Sequence, residues 1–538
     1  MGRRGGAVAP GPDAAYILKC ARGPRTGWLL RPAATGGDKG TDRALRILGA
    51  WTAGKVERAM EEPANTSPMD WAGKRVHFIG IGGYGMSGLA RVLLARGARV
   101  SGSDVRPSDR TRWLAGQGAR VHIGHDPEHV AGADLVVYNT DVPSDNVELV
   151  AARRAGIPVW HRSQVLADLL NHRRGVAVTG THGKTTTTAM TGLVLVAGGL
   201  DPTVLVGGEV PEFGTATARL GDGPWVVAEA CESDGTFLRY RPEIAVVTNV
   251  EPEHLDHYGG DFGQLQAAFG RFLRNVRAGG RVVACADHPV VRELLAGLDP
   301  RAAVRVVRYG LEAEDGDLRA RDVQAGPEGT RFTVWQGDRP LGEVRLAIPG
   351  QHNVLNALAA LAVGLELGVP FPVAAGALAR FHGAKRRFQV IYDRDGILIV
   401  DDYAHHPTEI RATLRAARQR CGPGGRVIAV FQPQRYTRTH LLMDEFARAF
   451  GDADRVILTE IYAPPGDRPI PGVSSAVLAD RIAQREGRPV ELIRSREELV
   501  EHLLHTVRPG DMVLTMGAGD IWTVARDLAQ RLQAVTPA

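Results

Sequence analysis

The chain has 538 residues, 44% hydrophobic and 23% charged, more than one hydrophobic core can organise, so two to four domains of an ordinary globular kind are expected. No apolar run approaches the roughly 18–20 residues of a membrane span, and the four cysteines (Cys20, Cys231, Cys285, Cys421) lack the spacing of paired metal ligands, their scarcity fitting a reducing compartment. Residues 1–68 hold 11 of the 65 Lys/Arg and 6 of the 60 Asp/Glu, so the net charge of +5 belongs to that segment and implies no basic nucleic-acid-binding surface on the rest.

Residues 1–68 are rich in Gly, Ala, Arg and Pro, with a short helix expected at Ala44–Ala59 and no apolar core of a signal peptide. They read as a disordered tail or as sequence upstream of a true start at Met69; a targeting or regulatory tail is the alternative. From Arg75 the pattern becomes strand and helix in alternation. Val76–Ile81, Arg99–Ser103, Leu135–Asn139 and Val159–Trp160 read as strands, with a glycine turn and a helix through Leu94 after the first. A second unit begins near Arg173. It has strands at Gly175–Thr179, Trp225–Glu229, Ile244–Asn249 and Val282–Cys285, hairpins within Leu311–Leu346 turning at Gly326–Pro327 and Gly337–Asp338, and a helix at Gln351–Leu367. A third follows the Lys385-Arg386-Arg387 cluster, with strands at Gly396–Val400, Val427–Phe431, Arg455–Leu458 and Met512–Thr515. This predicts three successive α/β units, divided at residues 69–172, 173–382 and 383–538.

The most specific motif is Gly180-Thr181-His182-Gly183-Lys184-Thr185-Thr186, between an apolar strand and a helix. That placement aims backbone N–H groups and the positive helix end at a phosphate chain, with Lys184 as counter-charge and the Thr185 hydroxyl suited to Mg²⁺. Only two residues separate its glycines, so it is a shortened phosphate loop. A glycine turn of purely structural purpose is the less favoured reading. Acidic clusters follow two strands of the same unit, Glu229 with Glu232 and Asp234, and Glu251 with Glu253, His254 and Asp256. Each alone is most often a solvated loop; beyond strand ends beside Lys184 they suit a hard cation. An earlier loop places Gly80, Gly82 and Gly85 in GxGxxG register, with Asp104 at the next strand end. That pattern fits NAD, and a nucleotide diphosphate sugar equally well. In the third unit, His405-His406-Pro407 is a capping turn or a catalytic pair, and Arg435 and Arg438 suit a carboxylate or phosphate.

Together these segments resemble the Mur ligase family over Lys74 to Leu532. The carriers are HFIGIGGYGM (His77–Met86), GTHGKTT (Gly180–Thr186), EACESDGTFL (Glu229–Leu238), TNVEPEHLDHY (Thr248–Tyr258), GQHNVLN (Gly350–Asn356), KRRF (Lys385–Phe388), DDYAHHP (Asp401–Pro407), FQPQRYTR (Phe431–Arg438) and GAGD (Gly517–Asp520). The resemblance implies an N-terminal Rossmann-like domain, a central P-loop ATPase-like domain and a C-terminal Rossmann-like domain. It implies an ATP-dependent cytoplasmic ligase of peptidoglycan precursor synthesis that joins L-alanine to the lactyl carboxylate of UDP-N-acetylmuramate through an acyl phosphate. The related alternative adds a murein peptide to the same sugar. No nucleic acid or membrane insertion is implied, and a monomer or weak homodimer is expected.

Residue by residue, the resemblance assigns Gly82, Gly83, Gly85 and Asp104 to the UDP-sugar and Gly180 to Thr186 to ATP phosphates. His352, Asn353 and Asn356 face the adenine, and Thr185, Glu229 and His254 hold Mg²⁺. Lys184 and Arg387 meet the transferred phosphoryl group, while His405, Arg435 and Arg438 meet alanine, His405 being the candidate proton acceptor. Three departures stand out. Cys231 replaces a usual acid, Asn139-Thr140-Asp141-Val142 replaces a usual Ser-Ser-Ala-Ile, and Ala463–Ile470 differs in length. Some relatives carry a carbamylated lysine near the position of Arg239; none is expected here.

Overall fold

The computed structural model describes residues 67–535, apart from 215, 302, 327, 422–423 and 465–466. The expectations for residues 1–66, including the helix at Ala44–Ala59, lie outside the described residues, as does Pro327 of the expected turn.

The first sheet is wholly parallel. Its strands are β1 (Arg75–Ile79), β2 (Arg99–Asp104), β3 (Arg120–Ile123), β4 (Leu135–Tyr138) and β5 (Val159–His161), in the order β3-β2-β1-β4-β5. Strand order reverses between β1 and β4, and such a reversal opens a crevice at the carboxyl ends. The glycine loop after β1 stands there, and the helix Tyr84–Ala95 follows it. Strand β3, which the sequence pattern did not reveal, is a four-residue edge strand with no buried residue.

Ten strands form the central sheet: β6 (Arg174–Thr179), β7 (Thr203–Val210), β8 (Ala216–Arg219), β9 (Trp225–Glu229), β10 (Ile244–Val247), β11 (Arg281–Cys285), β12 (Arg305–Gly310), β13 (Leu318–Gly326), β14 (Gly329–Gln336) and β15 (Arg339–Leu346). Their order is β15-β14-β13-β12-β11-β10-β6-β9-β7-β8. The middle of this sheet is parallel, whereas β8 and the β13–β15 meander pair antiparallel. Strand β6 lies between β9 and β10, so the loop leaving it sits at the second reversal of order. Fully buried Val176, Val178, Val227, Val246 and Val283 pack with the helices Lys184–Ala197 and Gln351–Glu366 in one core.

The third sheet has β16 (Gln389–Arg394), β17 (Ile397–Asp402), β18 (Arg426–Phe431), β19 (Arg455–Leu458), β20 (Glu491–Leu492) and β21 (Asp511–Met516), ordered β16-β17-β21-β18-β19-β20. All are parallel except the β16–β17 hairpin. Alternate residues of its strands feed two separate cores, one on each face, as a doubly covered sheet requires.

Polar contacts tie the three sheets together. Ser87 Oγ meets Thr217 Oγ1 at 3.2 Å, and Gly88 passes so close that a Cβ there would stand 3.2 Å from the Thr217 carbonyl. Glu209, on β7, accepts from Arg110 at 2.7 Å and from Lys385 at 2.5 Å, so one carboxylate joins residues of all three.

Candidate active site

The phosphate loop owes its shape to two glycines. Gly180 has φ +134°, and a Cβ there would lie 2.1 Å from Thr248 Oγ1; Gly183 has φ +83°, and its Cβ would lie 2.6 Å from Asn356 Oδ1. Both approaches exclude any side chain. Lys184 opens the following helix and folds back, donating to the carbonyls of Gly180 (2.6 Å) and Thr181 (3.0 Å) and to Glu232 Oε2 (2.9 Å). Burial opposes its charge, but the Glu232 carboxylate prevails and its pKa is raised. The other Glu232 oxygen is buried and, among the described residues, has no hydrogen-bond partner. Glu229, at the end of β9, accepts from the Gly207 N–H at 2.5 Å, and a Cβ on Gly207 would collide with that carboxylate. His254 sits at φ +55° on the loop after β10, and burial outweighs the opposing Glu253 charge and lowers its pKa.

Beside the loop lies a cavity of about 290 Å³. The sequence-predicted Thr185, Thr186, His352, Asn353, Asn356 and Arg387 all border it, together with His182 and Gly183. Its far wall includes Tyr309, Cys285 and Ile348, an apolar surface of the sort a purine ring occupies. Thr187 Oγ1 donates to Asn356 Oδ1 (3.0 Å), whose amide donates to Asn353 Oδ1 (3.2 Å), so the asparagines are locked to the phosphate-loop helix. Burial pushes His352 down to about 4, which keeps its ring neutral.

A second cluster joins the central and third sheets. Glu253 Oε1 is 3.1 Å from Arg438 Nη2, 3.6 Å from His405 Nε2 and 3.9 Å from His254 Nε2. Burial alone would raise its pKa; the His405, His254 and Arg438 side chains beside it hold it well below the carboxylate range. The two histidines before Pro407 divide their roles. Glu409, in the first turn of the helix Pro407–Cys421, accepts from the backbone N–H groups of both His405 (3.0 Å) and His406 (3.3 Å), and His406 Nδ1 accepts from the Thr408 N–H at 3.3 Å. The capping turn therefore uses Glu409 and His406. His405 keeps Nδ1 on the Tyr403 carbonyl (2.9 Å) and turns Nε2 towards Glu253. Glu409 also lies 3.2 Å from His182 Nδ1 and 3.7 Å from Arg387 Nη1. Arg435 is exposed at φ +67° and stands outside the Glu253 cluster.

The first glycine loop is a separate site. The Gly82 N–H donates to Asp104 Oδ2 at 2.9 Å, and a Cβ on Gly82 would lie 2.8 Å from that oxygen, so Asp104 braces the loop. Arg110 crosses the Tyr84 ring at 4.1 Å and donates to the Gly82 carbonyl at 2.6 Å. A Cβ on Gly85 would meet Arg162 Nη1 at 3.1 Å, which places a guanidinium at the helix start. Thr140, in the departing segment, donates to Asp234 (2.7 Å) and pairs with His161 (3.1 Å), linking the first sheet to the acidic stretch after β9.

Sequence reasoning offered Glu232 and Glu253 only as members of acidic clusters suited to a hard cation, gave no role to Arg162 and passed over Glu409. Glu409 carried a signal, an acid three residues into a helix start, as in a capping box; Arg162 carried none.

Three family models match the chain in order: "Mur ligase family, catalytic domain" over residues 75–174, "Mur ligase middle domain" over 178–364, and "Mur ligase, glutamate ligase domain" over 386–519. A UDP-N-acetylmuramate–L-alanine ligase of Symbiobacterium thermophilum is 56% identical over 86% of this chain and 95% of its own. One from Pelotomaculum thermopropionicum is 48% identical over 86% and 98%. Among solved structures, UDP-N-acetylmuramate-alanine ligase of Thermotoga maritima aligns with TM-score 0.73 and 31% identity over 86% of this chain and all of that one. A murein peptide ligase of Psychrobacter arcticus aligns with TM-score 0.64 and 26% identity over 87% of this chain and all of that one.

Proposed function

This chain belongs to the Mur ligase family, and we propose that its three units perform the reaction for which its relatives are named. It is a UDP-N-acetylmuramate–L-alanine ligase, consuming ATP to form an amide bond in peptidoglycan precursor synthesis. The observation that carries this reading is the meeting of the phosphate loop, the purine-sized cavity and the Glu253–His405–Arg438 cluster at one junction of the central and third sheets. The murein peptide ligase of Psychrobacter arcticus is the weaker match in both identity and structural score, and no feature of the site favours that activity.

Divided at residues 69–172, 173–382 and 383–538, the units take UDP-sugar, ATP and alanine respectively. A carboxylate is a poor electrophile, so the lactyl group of the sugar must first gain a leaving group. ATP supplies it as an acyl phosphate, whose carbonyl the alanine amine attacks; the tetrahedral intermediate then expels phosphate. Phosphoryl transfer of this kind asks chiefly for positioning and charge neutralisation. Lys184 and Arg387 offset the charge of the moving phosphoryl group, and Gly180, Thr181, His182, Gly183 and Thr186 wrap the phosphate tail. His352, Asn353 and Asn356 hold the nucleoside end.

Thr185, Glu229 and His254 would hold Mg²⁺. The donor set fits: a hydroxyl, a carboxylate and an imidazole that burial keeps neutral, with the Glu232 oxygen that has no hydrogen-bond partner among the described residues as a further anionic donor beside Lys184. When bound, the ion supplies charge neutralisation at the phosphate oxygens.

Arg438 fixes the alanine carboxylate, with Arg435 reaching the same ligand from the exposed rim. His405 Nε2 accepts the amine proton, its ring oriented by the Tyr403 carbonyl. Gly82, Gly83 and Gly85 bring backbone N–H groups to the UDP diphosphate, and Asp104 braces that loop. The enzyme acts in the cytoplasm; among the described residues no helix is long and apolar enough to cross a membrane.

The test is ADP release with UDP-N-acetylmuramate and either L-alanine or the murein tripeptide. Turnover with alanine is expected; turnover only with the peptide refutes the assignment.

A further inference from the structure

His182, Glu251 and His406 offer three ligand atoms that lie within 4.8 Å of one another at the seam between the phosphate loop and the third sheet. None of the three is a magnesium ligand in the scheme above. His182 Nε2 is 3.4 Å from Glu251 Oε2, and His406 Nδ1 is 3.9 Å from the same oxygen. Ligands held about 2.1 Å from a tetrahedral zinc stand about 3.4 Å apart, so two edges of the triangle are already near that spacing.

The surroundings support a bound ion. His182 Nε2 is buried and, among the described residues, has no hydrogen-bond partner. Its other nitrogen faces Glu409 Oε1 at 3.2 Å, the carboxylate–imidazole arrangement that orients metal-bound histidines. The ligating oxygen of Glu251 is steadied by the Thr408 hydroxyl at 2.8 Å. His406 is 5% exposed, and its Nδ1 accepts from the Thr408 N–H at 3.3 Å, a long bond that ligation at that nitrogen would replace.

We propose that His182, Glu251 and His406 form a second cation site, selective for a borderline ion of the zinc class over magnesium. Two imidazoles and one carboxylate match zinc preferences, whereas magnesium takes oxygen donors. His182 and Glu251 both border the nucleotide cavity. An ion there ties the His406 turn of the third sheet to the phosphate loop of the central one.

The experiment titrates the full-length protein with Zn²⁺ against a chromogenic chelator, in excess Mg²⁺, and repeats the titration with Co²⁺ for its absorption spectrum. One ion per chain is expected to bind despite the magnesium, with His406→Ala weakening it at least about tenfold. His406→Cys retains a ligand, so it should hold Co²⁺ and add a thiolate-to-cobalt charge-transfer band, a readout that a misfolded or merely destabilised protein does not produce. His254→Ala should leave the zinc affinity unchanged. Absence of stoichiometric zinc binding, the same affinity in His406→Ala, or a cobalt spectrum of His406→Cys without the thiolate band would each overturn the proposal. So would loss of the zinc in His254→Ala, which would put the ion at the magnesium position instead.

Discussion

Lys184 Nζ donates to Glu232 Oε2 at 2.9 Å, and both side chains are almost wholly enclosed. The phosphate-loop cation is thus held by a carboxylate that has one oxygen to spare, positioned for exchange onto a phosphate chain.

Removing the cation separates chemistry from sugar binding. Lys184→Ala should lower alanine-dependent ADP release by about 10²-fold or more, as expected for loss of a group acting on developing charge. UDP-N-acetylmuramate affinity, measured by calorimetry, should remain largely intact. The variant also strands the buried Glu232 charge, so a lower melting temperature is expected, recovered in part by adding Glu232→Gln.

The alanine end is read through Glu253. Glu253→Gln frees Arg438 and His405 from their shared carboxylate and leaves a buried amide in its place. The Michaelis constant for alanine should change by about tenfold or more, the scale of breaking a buried charge pair, while that for ATP stays nearly constant. Arg438→Ala should raise the alanine constant alone. Initial rates at varied alanine and ATP settle both; an equal shift in the ATP constant would contradict the assignment.

Adjacent glycines of the first loop should respond differently. A Cβ on Gly82 would press on Asp104 Oδ2 (2.8 Å) and Thr111 Cγ2 (2.9 Å), whereas on Gly83 the nearest atom is the Gly80 carbonyl at 3.4 Å. Gly82→Ala should therefore cost stability as well as UDP-sugar affinity. Gly83→Ala should keep the wild-type melting temperature and lose affinity, since only the ligand approaches that face. Neither protein should bind NAD. Thermal melts and calorimetry check all three statements.

Acid sensitivity follows from two buried imidazoles. Burial brings His161 and His352 down to about 4, from 6.5 in the unfolded chain. Between those values the unfolded state binds more protons than the folded one, so stability falls as pH drops from 6.5 towards 4. Each ring contributes at most about 1.4 kcal/mol per pH unit. Denaturation midpoints across this window should show the decline, and His161→Gln should flatten part of it.

The parts of the molecule legible in the sequence are those with local causes. Strands β1, β6, β9 and β10 are short apolar runs, and the two glycine loops follow β1 and β6 directly. Strand β7 was missed because Gly207 and Gly208 interrupt its apolar pattern; the structure places Gly207 against the Glu229 carboxylate, where no side chain fits. Strands β3, β16 and β20 are edge or near-edge segments with little burial, so alternation is faint. In the site, Lys184, Thr185 and the asparagines of Gln351–Glu366 were readable from their motifs. Glu409 and Arg162 act across sheet boundaries, on partners 227 residues away for Glu409 and His182, and such meetings leave no local pattern. The ambiguity of His405-His406 had the same origin: the turn itself is local, but Glu253, which draws only His405 into the cluster, comes from another sheet.

The measurement closest to the central claim is stoichiometric: purified enzyme, UDP-N-acetylmuramate, ATP and L-alanine, with ADP, phosphate and the amide product counted together. One ADP and one phosphate per amide bond, each requiring all three substrates, is the predicted result. Amide formation without nucleotide consumption, or nucleotide hydrolysis indifferent to alanine, would contradict it.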